Sequence, residues 1–205
     1  MKPVLVTQRV VSATASAPRR DALEDAWHPL FEAADLLPVL VPNRFALARA
    51  LADGVAWSGL LLTGGNDLAS VGGDAPARDE VETFLLERAL AAGRPVLGVC
   101  RGMQLLLAHF GAALERVEGH VQPRQAVTIE GSLVQVNSYH DFGARKAPDN
   151  FEVWARADDG VVKAIRDDAR RLTGVMWHPE RMRPFRSDDV ALLRSLGRTE
   201  EPCAG

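Results

Sequence analysis

The chain has 205 residues, of which 47% are apolar and 25% charged, and 24 basic against 27 acidic side chains leave a net charge of −3. This composition excludes a disordered chain, a collagen-like chain and a disulfide-stapled mini-protein. It also offers no bulk attraction to nucleic acid or to an anionic membrane, and the length favours one ordinary domain.

Short apolar runs alternate with amphipathic stretches along the first half. Val4–Thr7 reads as a buried strand. Arg20–Ala34 reads as a helix, with Leu23, Trp27, Leu30 and Phe31 at helical spacing. Leu37–Val41 is a second strand, Phe45–Ala52 a helix with Gly54 as its cap, and Leu60–Leu62 a third strand ending at Thr63-Gly64-Gly65. A helix over Asp79–Ala92, capped by Gly93, leads to a fourth strand, Pro95–Val99, and a helix over Met103–Phe110. Such alternation predicts parallel strands with helices on both faces. The second half changes character: Ala126–Ile129, Leu133–Asn137, Phe151–Ala157, Val161–Ile165 and Thr173–Trp177 read as strands, partly antiparallel, with turns at Glu130-Gly131 and Asp158-Asp159-Gly160. A last helix covers Asp188–Leu196. With no repeat or linker in view, residues 1–197 are expected to form one domain and residues 198–205 a tail.

Cys100 and Cys203 are far apart, which reads as a reduced, cytoplasmic setting. The N-terminus lacks the apolar core of a signal peptide, and the charge-free stretches Gly54–Asn66 and Gly102–Leu114 are shorter than the ~18–20 residues of a membrane-spanning helix.

The octet Pro95-Val96-Leu97-Gly98-Val99-Cys100-Arg101-Gly102 carries the most chemistry. An apolar strand runs into Gly-x-Cys-x-Gly and then a helix, which is the thiol form of a nucleophile elbow. The helix N-terminus favours a thiolate; the alternative is a buried structural cysteine. Val175-Met176-Trp177-His178-Pro179-Glu180 offers a base and its orienter, because residues two apart in extended chain face the same side. Together they read as a Cys100–His178–Glu180 triad. The Gly64-Gly65 pair lets the Gly65 N–H, beside that of Arg101, approach an oxyanion.

In this order, the glycine pair, elbow and His-Pro-Glu resemble the class I glutamine amidotransferase superfamily over nearly the whole chain. The finer likeness is to its γ-glutamyl hydrolase branch, of the peptidase C26 type, carried by Gly98–Gln104, Arg78-Asp79-x-x-Glu82 and Val136-Asn137-Ser138-Tyr139-His140. Thr7-Gln8-Arg9 and Arg19-Arg20-Asp21 with Trp27 further resemble bacterial hydrolases of γ-glutamyl-CDP-amidate, which serve the phosphoramidate decoration of surface polysaccharide. The resemblance implies a flavodoxin-like three-layer α/β domain with a mainly parallel central sheet and an added antiparallel patch. It also implies hydrolysis of a small γ-glutamyl conjugate through a γ-glutamyl thioester on Cys100.

Gly64, Gln104, Asn137, Ser138, Tyr139 and His140 would then bind substrate. His140 reads as a positioning or structural residue, with a second catalytic histidine as the alternative. Relatives often carry Gln where this chain has Phe142 and an acid where it has Lys163. Arg78, Asp79 and Glu82 read as a local ion-pair or helix-cap cluster. Arg181, Arg183 and Arg186 read as a solvated run, or as contacts to a phosphate-bearing substrate. The histidines lack metal-ligand spacing and no phosphate-loop pattern occurs, so neither a metal nor a cofactor is expected. The expected partner is a small γ-glutamyl substrate, nucleotide-linked in one reading, on a monomer or homodimer. The alternative is a glutaminase subunit that delivers ammonia to a separate synthetase.

Overall fold

The computed structural model describes residues 1–12 and 17–198. The predicted tail beyond Arg198, with Cys203, lies outside them. One nine-stranded sheet organises the molecule. Its strands are β1 (Lys2–Thr7), β2 (Leu36–Val41), β3 (Gly59–Leu62), β4 (Val96–Val99), β5 (Val121–Ile129), β6 (Ser132–Tyr139), β7 (Glu152–Ala157), β8 (Val162–Asp167) and β9 (Leu172–Val175). They lie in the order β2-β1-β3-β4-β9-β8-β7-β5-β6. The first five are mutually parallel, and the other four continue the same sheet antiparallel. The parallel part has the flavodoxin-like order, which leaves a crevice at the carboxyl ends of the strands.

The period of two in each strand decides which helices cover which face. Val4, Val6, Leu61, Leu97 and Val99 pack with α1 (Trp27–Ala34) and α5 (Ser187–Ser195). Leu5, Leu60, Leu62 and Val96 pack with α2 (Phe45–Gly54), α3 (Pro76–Ala91) and α4 (Arg101–His109). Because β3 and β4 are covered on both faces, all their residues are buried and they read as unbroken apolar runs.

Two local expectations change. Helix α1 begins at Trp27, and Arg20–Ala22 instead pairs antiparallel with Arg9–Val11. Asp21 holds that ribbon in place by accepting from the Asn43 N–H and side-chain amide at 2.9 and 2.8 Å. A long-range tie thus overrides a helical periodicity. Gly54 is the last residue of α2 rather than a left-handed cap; its neighbour Val55 is extended. The β5–β6 turn is as read, with Glu130 and Gly131 at φ 46° and 84°.

Candidate active site

The adjacent parallel strands β3, β4 and β9 bring the candidate residues to one end of the sheet. β4 passes through Cys100 directly into α4. Cys100 has φ 52° and ψ −106°, a conformation that costs a side-chain-bearing residue about 1–3 kcal/mol. The surroundings enforce it: its N–H donates to the Val175 carbonyl at 2.8 Å, and its carbonyl accepts from the Gln104 N–H at 3.1 Å. Close approach explains the flanking glycines. A Cβ on Gly98 would lie 2.6 Å from the Gly102 carbonyl carbon, and one on Gly102 2.1 Å from the Leu62 oxygen. The Cys100 sulfur is 3.9 Å from the Tyr139 carbonyl oxygen.

His178 follows β9. Its Nδ1 donates to Glu180 Oε1 at 2.6 Å. Pro179–Arg181 forms a single 3₁₀ turn, so Glu180 returns to the ring through that turn and not through the extended chain the sequence implied. Proline suits this first helical position. Burial works against a charged ring, but the neighbouring Cys100 and Glu180 side chains outweigh it and raise His178 to about 10. His178 is therefore held in its protonated form beside Cys100, backed by the buried Glu180 side chain.

Asn137 anchors the histidine. Its amide nitrogen donates to the His178 carbonyl at 2.8 Å, and its amide oxygen accepts from the His178 N–H at 2.7 Å. Ser138 donates to the His120 carbonyl at 2.8 Å and accepts from Lys163 at 3.0 Å. Both side chains thus bond to the protein, and neither lines the cavity next to Cys100. Gly64 makes room for the ring, since a Cβ there would lie 2.7 Å from His178 Cε1.

A cavity of about 550 Å³ opens above the sulfur, lined by Gly65, Cys100, Arg101, Gln104, Tyr139 and His140 together with His178. Gly65 is at φ 83°, in the left-handed region open to glycine. Neither its N–H nor that of Arg101 has a backbone acceptor among the described residues. Arg78 holds this loop from beneath: its guanidinium donates to the Thr63 carbonyl at 2.7 Å and to the Gly65 carbonyl. It thereby clamps the peptide units on either side of the one that carries the Gly65 N–H.

Arg78 also donates to Glu82 at 2.8 Å, and Arg101 donates to both Glu82 and Asp79. Arg78, Glu82 and Arg101 are all within 1% of full burial. Burial alone would raise the Glu82 carboxyl; the two guanidiniums outweigh it and hold it below its usual range. The cluster read as local on α3 is therefore the bridge between the glycine loop and the elbow. An arginine–glutamate pair at i,i+4 was visible in the sequence, but its convergence on Arg101 was not.

Gln104 donates to the Phe142 carbonyl at 2.7 Å, and His140 Nδ1 donates to the same oxygen at 2.9 Å. His140 Nε2 therefore accepts from Lys163 Nζ, at 2.7 Å. Burial, then the neighbouring Lys163 charge, lowers His140 to about 3, so its ring is neutral. Burial also lowers Lys163 to about 7, although the charges of Cys100 and Asp159 act the other way. The three arginines near the site are committed to the protein. Arg181 makes a forked pair with Glu24, with contacts of 2.6 and 3.0 Å; Arg183 donates to the Glu180 and Met182 carbonyls, and Arg186 pairs with Asp188. Of the three, Arg181 lines the cavity. No helix among the described residues is long and apolar enough to cross a membrane.

The sequence profile of the peptidase C26 family matches residues 5–180. The chain belongs to the peptidase C26 family. Curated relatives agree with this placement within the glutamine amidotransferase-like hydrolases. The chain is 27% identical over 184 residues to the γ-glutamyl-CDP-amidate hydrolase of Campylobacter jejuni, covering 86% of this chain and 88% of that protein. It is 29% identical over 193 residues to the glutamine amidotransferase-like protein YvdE of Lactococcus lactis, covering 78% and 80%. Among solved structures, a GMP synthase component from Thermoplasma acidophilum superposes with a TM-score of 0.71 at 18% identity, covering 96% of this chain and 92% of that one. A glutamine amidotransferase of Thermotoga maritima gives 0.64 at 15% identity, covering 87% and 76%. These two likenesses establish the shared fold.

Proposed function

We propose that this member of the peptidase C26 family is a cysteine hydrolase that cleaves the γ-glutamyl amide bond of a small conjugate and releases glutamate. The observation that carries the reading is the placing of His178 between Cys100 and Glu180, to which its Nδ1 donates at 2.6 Å, at the mouth of a polar cavity that also holds two N–H groups without a backbone acceptor among the described residues. The Cys100 thiolate attacks the γ-carbonyl carbon, and the Gly65 and Arg101 N–H groups receive the developing oxyanion. The tetrahedral adduct collapses as the C–N bond breaks, the His178 imidazolium giving its proton to the leaving nitrogen. This leaves a γ-glutamyl thioester and a neutral imidazole. A water then gives a proton to His178 and attacks the thioester, releasing glutamate and restoring the ion pair. Glu180 keeps the ring oriented and balances its charge throughout. Gln104 and the Tyr139–His140 segment form the wall that receives the glutamyl head.

The Campylobacter relative makes γ-glutamyl-CDP-amidate the first conjugate to test; a role in surface polysaccharide phosphoramidate synthesis is the process that the sequence resemblance implies for it. The decisive assay is glutamate release from glutamine, γ-glutamyl-γ-aminobutyrate and γ-glutamyl-CDP-amidate. Rapid release from a conjugate, abolished in Cys100→Ala, is expected. Turnover that survives Cys100→Ala refutes the mechanism, and release from glutamine alone turns the reading to an ammonia-delivering component of a synthetase.

A further inference from the structure

We infer that Arg9 selects substrates whose leaving nitrogen bears an anionic group, phosphoryl or carboxylate, within the γ-glutamyl hydrolase reading on which this inference rests. Three arginines line the cavity: Arg9, Arg101 and Arg181. The charge of Arg101 is paired with Asp79 and Glu82, and that of Arg181 with Glu24. The Arg9 side chain makes no hydrogen bond or ion pair among the described residues, while its backbone pairs with Ala22. Its side chain nevertheless has a defined course. It lies along Gly65, where an added Cβ would meet Arg9 Nε at 2.9 Å and Arg9 Cδ at 3.1 Å.

The backbone beneath it is built into the site. Asn66 accepts from the Val10 N–H at 2.8 Å and donates to the Val10 carbonyl at 3.0 Å, which staples the Arg9–Val11 strand to the glycine loop. The guanidinium is thus carried on a strand stapled to the loop that presents the Gly65 N–H.

The cavity has two walls with Cys100 between them. Gln104, Tyr139 and His140 come from α4 and the end of β6. Arg9, Asn66, Asp67 and Asp74 come from the β1 and β3 side. With the glutamyl head on the first wall, the leaving half falls to the second. There Asp67 and Asp74 are exposed carboxylates, so without Arg9 the charged side chains of that wall would all repel an anion. The fork of a guanidinium matches carboxylate and phosphate oxygens, and such charge-assisted hydrogen bonds are the strong ones.

The test compares kcat/KM for three substrates: γ-glutamyl-γ-aminobutyrate, its neutral isostere γ-glutamyl-n-butylamide, and γ-glutamyl-CDP-amidate. Wild type is expected to favour at least one anionic conjugate over the butylamide. Arg9→Gln should lower that ratio by about 10- to 100-fold, and Arg9→Lys by less. The anionic conjugate with the larger loss identifies phosphoryl or carboxylate as the group read. Equal losses on all three substrates would mean that Arg9 reads the glutamyl head or merely holds the loop, and this overturns the inference. An unchanged ratio overturns it too, while leaving the hydrolase reading intact. Absence of Cys100-dependent glutamate release from all three refutes the hydrolase reading itself.

Discussion

Replacing Glu82 with Gln keeps the shape of the side chain but removes the one charge on which Arg78 and Arg101 converge. Glu82 and Arg78 are fully buried and Arg101 is 1% exposed. Only Asp79, which is partly exposed, would remain as a carboxylate partner, and only for Arg101. Breaking a buried ion pair by removing one partner costs about 3–5 kcal/mol, because the surviving charge has lost its compensation. Against the 5–15 kcal/mol typical of a folded domain, that is a large fraction. For a chain of this size it corresponds to a fall in Tm of about 6–20 °C.

The pH dependence adds a second readout. The folded-state pKa of Glu82 is lowered, so its contribution is present above the ordinary carboxyl value of 4.5 and is lost as pH falls through the folded value. The gap between wild type and Glu82→Gln should therefore be widest near neutrality and close in acid. Urea unfolding at pH 7 and in a descending pH series measures both. A difference below about 1 kcal/mol at pH 7, or one that does not narrow in acid, would refute the reasoning that this carboxylate neutralises two buried cations.

In Glu180→Gln the ring loses the carboxylate charge that helps raise it to about 10 and keeps only a neutral amide oxygen as acceptor, so the alkaline limb of the kcat/KM profile should shift to lower pH; an unmoved limb contradicts the assignment. Asn137→Ala should cut kcat by roughly 10²-fold through displacement of His178, with KM near wild type; a rise in KM instead would make Asn137 a substrate contact. Lys163 has a folded value of about 7 against 10.5. Its burial penalty is therefore full below pH 7, fades as pH rises and is gone above 10.5. Lys163→Met should accordingly gain stability relative to wild type at pH 6 and lose that advantage towards pH 10, as followed by denaturant midpoints.

Much of the site was legible in short segments. The glycines flanking Cys100 signal a strand that turns straight into a helix, because a side chain at either position would strike backbone. His178-Pro179-Glu180 names a candidate base and the carboxylate it bonds within three residues. The apolar runs at β3 and β4 announce strands covered on both faces. Local sequence did less well where a distant residue decides the outcome. Arg20–Ala22 has helical spacing in its context, yet it pairs with Arg9–Val11 and is tied to Asn43.

The same limit governs the polar residues around the cysteine. Their types could be read, since an Asn, an Arg or a Glu has one fixed set of donors and acceptors. Their roles depend on what the chain brings within 3 Å. Asn137 became the anchor of His178 only because β6 ends near the turn after β9. Arg181 was absorbed by Glu24 from the other end of the chain. Among the described residues the Arg9 guanidinium was left without a hydrogen-bond partner at the cavity, on a strand that Asn66 pins to the glycine loop. Composition, periodicity and contiguous motifs are short-range properties and so carried the strands, the elbow and the candidate catalytic residues. Partners that satisfy or withhold a charge come from long-range packing, which only the folded chain selects.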